Sequence, residues 1–361
     1  MQDFNLIHGG NIYAHAKKLN ISPSKIIDSS ASLVPFSPPD FLKEALNSVI
    51  ESESIKYYPE RNLDDLREII GHFHMVDPFN IMPGNGASEL ITWIGYEAAR
   101  SGKNCLPSPG FVDYERALKC WNGKYFFHEL PKKWGSSFPQ EFPIKPLSEV
   151  IWITNPHNPS GQLWERNSLE KIVKEYRLVI CDEAFLSMTP NGEEQSLIPL
   201  VKKYENLIVI RSLTKLFNMP GIRLGYAVGS KNLIQQLNQK RDPWPLNTFA
   251  IIAGKTLLEN KNQYKRWTLK IHNWIHSEKS FLSEEISKIQ DLDIRNSATN
   301  FFLIKHQQSL SPLIKHLSDK GILIRDCSSF RSLNNRWARI SLRSHNDNQT
   351  IADEMHQFFK K

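Results

Sequence analysis

The sequence predicts an α/β fold: a large domain with a mainly parallel sheet flanked by helices, joined to a smaller α+β domain. Three observations carry this. From about Asn80, short apolar runs end in glycine, proline or polar residues and alternate with segments whose apolar residues recur at three and four spacing, the helix period. After PWPLN at 243 the pattern changes to one long polar helical stretch and then to strands and helices in another order. The length of 361 residues, 40% hydrophobic and 23% charged, suits a large core divided between two domains.

In the first part the strand-like runs are NCLPSP at 104, VIWITNP at 150, LVICDEAF at 178, LIVIRS at 207 and RLGYAVG at 223. ASELITWIGYEAAR at 87 and SLEKIVKEYR at 168 are the helices between them. Such alternation places ligands beyond the carboxyl ends of the strands. In the second part a helix is predicted over about 262–289, then strands NFFLIKH at 300, ILIRD at 322 and ARISLR at 338, with a helix from Ser311 and another at the end. The segment up to about Ala45 has no core of its own and is expected to pack on the second domain. The expected division is 46–245 for the large domain, and 1–45 with 246–361 for the small one.

No segment approaches the roughly 20 uninterrupted apolar residues of a membrane helix. MQDFNLIHGG lacks the charged-then-apolar pattern of a signal peptide, so a cytoplasmic location is expected. Cys105, Cys120, Cys181 and Cys327 form no CxxC pair, which argues for reduced thiols and against a metal site. The net charge of +7 is spread along the chain without a nucleic-acid-binding signature, so it points to a basic surface and to anionic, phosphorylated ligands.

The stretch IRSLTKLFNMPGIRLG at 210 sets Lys215 among hydroxyl side chains, with Arg223 eight residues later and a glycine on either side of that arginine. An amine so placed can form a Schiff base with an aldehyde cofactor. Pyridoxal 5′-phosphate further needs a phosphate cradle, a carboxylate for its ring nitrogen, a donor for its phenolic oxygen and an aromatic on its face. GNGASE puts Gly86, Ala87 and Ser88 at the start of an apolar helix, where free amides and the helix dipole favour a phosphate. Ser212, Thr214 and Arg223 can complete that cradle. Asp182 ends the strand LVICD, Asn158 in NPHNPSG offers an amide donor, and Phe111 in PSPGF can lie against the ring. Each piece alone has an ordinary reading as a helix cap, a proline-ordered loop, a strand end or a core aromatic. All of them in one order point to the cofactor.

The order GNGASE, PSPGF, NPHNPSG, DEAF, SLTKLFNMPGIRLG and WARISLR resembles the fold type I, pyridoxal-phosphate-dependent enzymes of the class I/II aminotransferase family, over essentially the whole chain. The resemblance implies that Lys215 carries the cofactor, Asp182 faces the pyridinium, Asn158 donates to the phenolate and Arg223 binds the phosphate. It also implies that Arg339 holds a substrate α-carboxylate in a bidentate fork. A homodimer follows, with Tyr58 of YYPE reaching the phosphate in the other subunit. The non-catalytic alternative, a protein that only binds the cofactor, sits poorly with every catalytic position being filled.

Two branches of the family fit: L-threonine-O-3-phosphate decarboxylase, which makes aminopropanol phosphate for cobalamin, and histidinol-phosphate aminotransferase. LIHGGN resembles the opening of the decarboxylases, with His8 and Gly9 placed to receive a substrate phosphate. IRSLTKLFNMPGIRLGY and ILIRDCSSF resemble that branch too, the latter making Arg325 a second phosphate ligand. DEAF puts Phe185 where many aminotransferases have tyrosine. The early loop reads SLVP where the family commonly reads like NINP, so Ser32 and Val34 stand for asparagines in a loop expected to line the substrate site.

Overall fold

The computed structural model describes residues 8–144 and 147–360. The helices are α1 (Ile12–Leu19), α2 (Asp40–Glu51), α3 (Asp64–His74), α4 (Ala87–Ser101), α5 (Asp113–Cys120), α6 (Arg166–Glu175), α7 (Lys231–Asn238), α8 (Thr248–Glu259), α9 (Lys261–Ser287), α10 (Ser311–Asp319) and α11 (His345–Phe359). The strands are β1 (Ile27–Ser29), β2 (Ile81–Gly84), β3 (Asn104–Ser108), β4 (Tyr125–Glu129), β5 (Val150–Thr154), β6 (Leu178–Asp182), β7 (Leu207–Ser212), β8 (Gly225–Gly229), β9 (Leu292–Ile294), β10 (Phe301–His306), β11 (Ile322–Asp326) and β12 (Trp337–Ser341). Every run read from the sequence as strand or helix is one. Tyr125–Glu129, whose alternation is masked by aromatic residues, is a strand that the pattern did not show.

A seven-stranded sheet runs in the order β2-β8-β7-β6-β5-β3-β4. β7, β6, β5, β3 and β4 are parallel, whereas β8 is antiparallel to both neighbours. The middle strands are buried along their whole length, which is why VIWIT and LVICD read as continuous apolar runs. Their side chains alternate between two cores: Ile180 and Ile208 pack with Leu90, Ile91 and Ile94 of α4, while Val179, Cys181 and Val209 join the larger core on the other face.

The second sheet has the order β1-β11-β12-β10-β9. β1 pairs in parallel with β11, Ile27 opposite Ile322, so the N-terminal segment adds an edge strand here, as its lack of a core requires. Helix α9 buries Ile271, Trp274, Ile275, Leu282 and Ile286 at helical spacing. Among the described residues no helix is long and apolar enough to cross a membrane.

Candidate active site

Register fixes the site. Gly84 at the end of β2 and Ser212 at the end of β7 both pair with Gly225, the first residue of antiparallel β8. Arg223 therefore reaches the same sheet edge from the start of a strand rather than from its end. A cavity of about 310 Å³ opens at this edge. It is lined by Lys215, Ala87, Ser88, Phe111, Asn158 and Asp182, by Ser212, Thr214 and Arg223, and by Arg325, Arg339, His8 and Gly9.

The anion cradle is made of backbone as much as side chain. Helix α4 starts on Gly86, which has φ of 77° and provides no side-chain cap, so the first-turn N–H groups keep their donors. A Cβ on Gly86 would collide with the Arg223 guanidinium, so glycine is what lets the arginine lie against the helix start. Arg223 itself has φ of 62°, a left-handed conformation that costs a non-glycine residue about 1 kcal/mol or more. The strained Arg223 and the open first turn of α4 thus meet at one edge of the cavity.

Asp182 is 5% exposed at the cavity floor. Burial raises its pKa, against the N–H of Ala184 (3.0 Å to Oδ1), the O–H of Tyr114 (2.9 Å to Oδ2) and nearby Lys215, which favour the charged form. Tyr114 also bonds the Thr154 hydroxyl at 2.8 Å and stacks on Trp152. Lys215 has no hydrogen bond or ion pair with any described residue, and Nζ lies 5.7 Å from the Phe185 ring centroid. Desolvation, and then the charge of Arg339, bring its pKa down to about 8. The amine is poised near neutrality.

At the opposite end are two arginines, paired in register across β11 and β12. Arg339 is 6% exposed; Nη1 donates to Asn158 Oδ1 at 2.5 Å and Nη2 to the Ser30 carbonyl at 3.0 Å. Accepting that bond orients the Asn158 amide, which leaves Nδ2 as the group's donor. Burial lowers the Arg339 pKa to about 10. Arg325, 5% exposed, donates from Nη2 to Ser329 Oγ at 2.9 Å. Neither arginine forms an ion pair with a carboxylate among the described residues.

His8 Nε2 lies 3.4 Å from Asp113 Oδ1, and its ring lies 5.9 Å from Phe111. Burial would raise the Asp113 pKa, but His8 and Arg116 outweigh it and hold the carboxyl low. A Cβ on Gly9 would strike the Ser30 carbonyl, and the Gly10 N–H donates to Ser30 Oγ at 2.9 Å. Ser30 thus ties the N-terminal segment to Arg339. Ser32 lines the cavity, its Oγ 2.8 Å from that of Ser341. Val34 does not face the site: it is fully buried in the large core, because the loop has turned inward by that point. Tyr58 is 79% exposed, stacked on Trp244 at 4.5 Å, and does not line this cavity.

Two positioning residues were not read from the sequence. Tyr114 sits three residues beyond Phe111, yet only the fold brings it to Asp182, 68 positions away. Asn218 donates from Nδ2 to the Phe36 carbonyl at 2.8 Å, fastening the Lys215 loop to the segment that carries Ser32.

A sequence profile described as aminotransferase class I and II matches residues 24–355. The chain belongs to the aminotransferase class I and II family. A protein of Caldanaerobacter subterraneus provisionally named threonine-phosphate decarboxylase is 33% identical, over 98% of this chain and 94% of its own. The histidinol-phosphate aminotransferase of Ruminiclostridium cellulolyticum is 29% identical, over 93% of each chain. Among solved structures, L-threonine-O-3-phosphate decarboxylase from Porphyromonas gingivalis superposes with a TM-score of 0.81 at 25% identity, covering 93% of this chain and all of that one. The fold is the fold type I architecture of this aminotransferase family.

Proposed function

We propose that this family member is a pyridoxal-phosphate-dependent decarboxylase of L-threonine O-3-phosphate, releasing carbon dioxide and aminopropanol phosphate, the amine used for cobalamin. The observation that carries the reading is the pair of buried arginines without carboxylate partners. A buried cation left unpaired in the protein is costly unless a ligand supplies the anion. Two such cations side by side match a substrate with two anionic groups, a phosphate and an α-carboxylate. Histidinol phosphate brings only the phosphate, but its amino acceptor 2-oxoglutarate brings carboxylates, so the choice between the two branches rests on the 33% identical relative, which carries the decarboxylase name.

The residues present fit the cofactor. The helix start at Gly86–Ser88 with Ser212, Thr214 and Arg223 would hold its phosphate, Lys215 its aldehyde carbon, Asp182 its ring nitrogen, Asn158 its phenolic oxygen and Phe111 its face. The chemistry that pyridoxal phosphate supplies when bound is an electron sink for the pair released at the substrate α-carbon. The bonds from Tyr114 and Ala184 favour the anionic form of Asp182 against the burial that raises its pKa, and that form would stabilise a protonated ring nitrogen. Arg339 orients the α-carboxylate as the leaving group, and Arg325 with His8 and Gly9 takes the phosphate. Lys215, with a pKa near 8, returns a proton to the α-carbon once the carboxylate has left. In this reading 46–245 is the cofactor domain, and 1–45 with 246–361 supplies the substrate arginines and His8. A homodimer in which Tyr58 reaches the neighbouring site agrees with that side chain being exposed here.

The test is carbon dioxide release from O-phospho-L-threonine by the holoprotein, beside glutamate formed from histidinol phosphate and 2-oxoglutarate. Carbon dioxide without amino transfer is the expected result. Amino transfer without carbon dioxide would replace the reading with the histidinol-phosphate aminotransferase, the second branch among the relatives.

A further inference from the structure

Beside the active-site cavity lies another of about 360 Å³, lined among others by Phe127, Ser328, Ser329, Phe330 and Arg331. Phe111, Val112 and Phe330 line both cavities, so they form the partition between them. The exposed Arg331 guanidinium lies over the Phe127 ring of β4, 4.0 Å from its centroid. Stacking occupies the flat face of a guanidinium and leaves its in-plane N–H donors for an oxyanion. Among the described residues Arg331 makes no ion pair. The carboxylate of Glu115, on the same lining, is bonded by Lys119 Nζ at 2.6 Å and by the Tyr125 O–H at 2.8 Å, and the charge of Arg331 also favours its ionised form without a direct ion pair.

The partition carries a link between the two chambers. Ser329 lines the outer cavity, and its Oγ accepts from Arg325, which lines the inner one. The loop is pinned on its far side as well: Ser108 donates to the Arg331 carbonyl at 3.1 Å and meets Ser332 Oγ at 2.9 Å. Arg331 and Ser329 on the outer lining belong to one loop, and the Ser329–Arg325 hydrogen bond joins that loop to the inner lining.

We propose that this outer cavity is an anion-receiving vestibule, in which Arg331 first captures the phosphate of a phosphomonoester substrate before the phosphate passes to Arg325. The proposal rests on the phosphorylated-substrate reading above. A positive group at the mouth of a cleft raises the rate of anion capture and makes it sensitive to salt. Capture affects kcat/KM and leaves the bound complex alone.

The experiment compares wild-type holoenzyme with Arg331→Gln and Arg331→Lys on O-phospho-L-threonine, over a range of ionic strength. Arg331→Gln should lower kcat/KM about five- to tenfold at low salt and flatten its salt dependence, with kcat close to wild type. Arg331→Lys should recover most of the loss, which a purely structural stacking role would not allow. Equal kcat/KM in wild type and Arg331→Gln at low salt, or an equal loss in kcat, would overturn the proposal. Inorganic phosphate binding is measured in parallel by calorimetry on the same proteins. If wild type does not turn over O-phospho-L-threonine, the functional reading fails. The vestibule then stands or falls on whether Arg331→Gln weakens phosphate binding severalfold or leaves it unchanged.

Discussion

Asp182 and Glu183 are adjacent, as are Arg211 and Ser212, yet each pair divides between two regions of opposite character. Asp182 and Ser212 face the cavity. Glu183 and Arg211 face a packed network, in which Arg211 Nε lies 2.9 Å from Glu183 Oε2 and Nη1 2.7 Å from Glu193 Oε1. Ser196 and the Leu197 N–H complete the ligation of Glu183. Arg211 is 3% exposed and Arg339 6%, so burial does not distinguish them. What differs is the partner. Despite desolvation, Glu193 and Glu183 raise the Arg211 pKa well above its ordinary value, whereas burial and Arg325 lower that of Arg339. The same residue type stabilises the fold where its charge is answered, and is held ready for a ligand where it is not.

Replacing one arginine in each region tests that contrast. Arg211→Met leaves Glu183 as an uncompensated buried charge and should cost about 3–5 kcal/mol of folding stability, read by urea denaturation. Arg339→Met removes a charge that the fold does not neutralise, so Tm should stay at or above wild type. Its kcat/KM should fall about 10²- to 10³-fold, roughly 3–4 kcal/mol of lost binding to the substrate carboxylate. A large loss of stability in Arg339→Met, with little effect on turnover, would erase the distinction.

How much of this was legible follows the same line. Lys215, Asp182 and Asn158 could be read because each stands in a short motif at or just after a strand end, and Arg223 because it shares the Lys215 motif just before β8. Tyr114 could not, since it acts through a carboxylate 68 positions away. Arg339's acceptor is the backbone carbonyl of Ser30, and a carbonyl has no signature in a sequence. The antiparallel course of β8 was hidden as well, because GYAVG has the apolar run of an interior strand in either direction. Val34 was misplaced because the loop turns into the large core within two residues of Ser32, a bend that the residue pattern does not mark.

Lys215 sharpens the comparison through pH. Its folded pKa of about 8 lies below the ordinary 10.5, so the unfolded chain binds the proton more readily between those values. The stability of the cofactor-free protein should therefore rise from pH 8 to about 10.5 on account of this group, with its full penalty present below pH 8. Lys215→Met removes the penalty. The variant should be inactive, more stable than wild type at pH 7, and matched by wild type as pH approaches 10.5. Urea denaturation at several pH values reads the gap, and a gap that widens with pH would mean the amine is stabilised by a partner.

Tyr114→Phe makes the smallest change and asks whether a packed residue can belong to the ligand-facing region. The hydroxyl lies in the core between Thr154 and Asp182, and the ring stacks on Trp152, so packing survives the substitution. What is lost is the hydrogen bond to the charged form of Asp182, together with the one shared with the Thr154 hydroxyl. Its carboxyl pKa, already raised by burial, should climb further, and the protonated fraction cannot hold a cationic ring nitrogen. About 1 kcal/mol is the usual worth of such a bond, which corresponds to roughly fivefold weaker retention of pyridoxal phosphate. Fluorescence titration of the cofactor-free protein measures that retention, and thermal denaturation of the same sample measures stability. Weaker retention with Tm nearly unchanged places Tyr114 with Asp182. A drop in Tm with retention intact would place it with the Arg211 network, and Asp182 would then owe its charge to Ala184 and Lys215 alone.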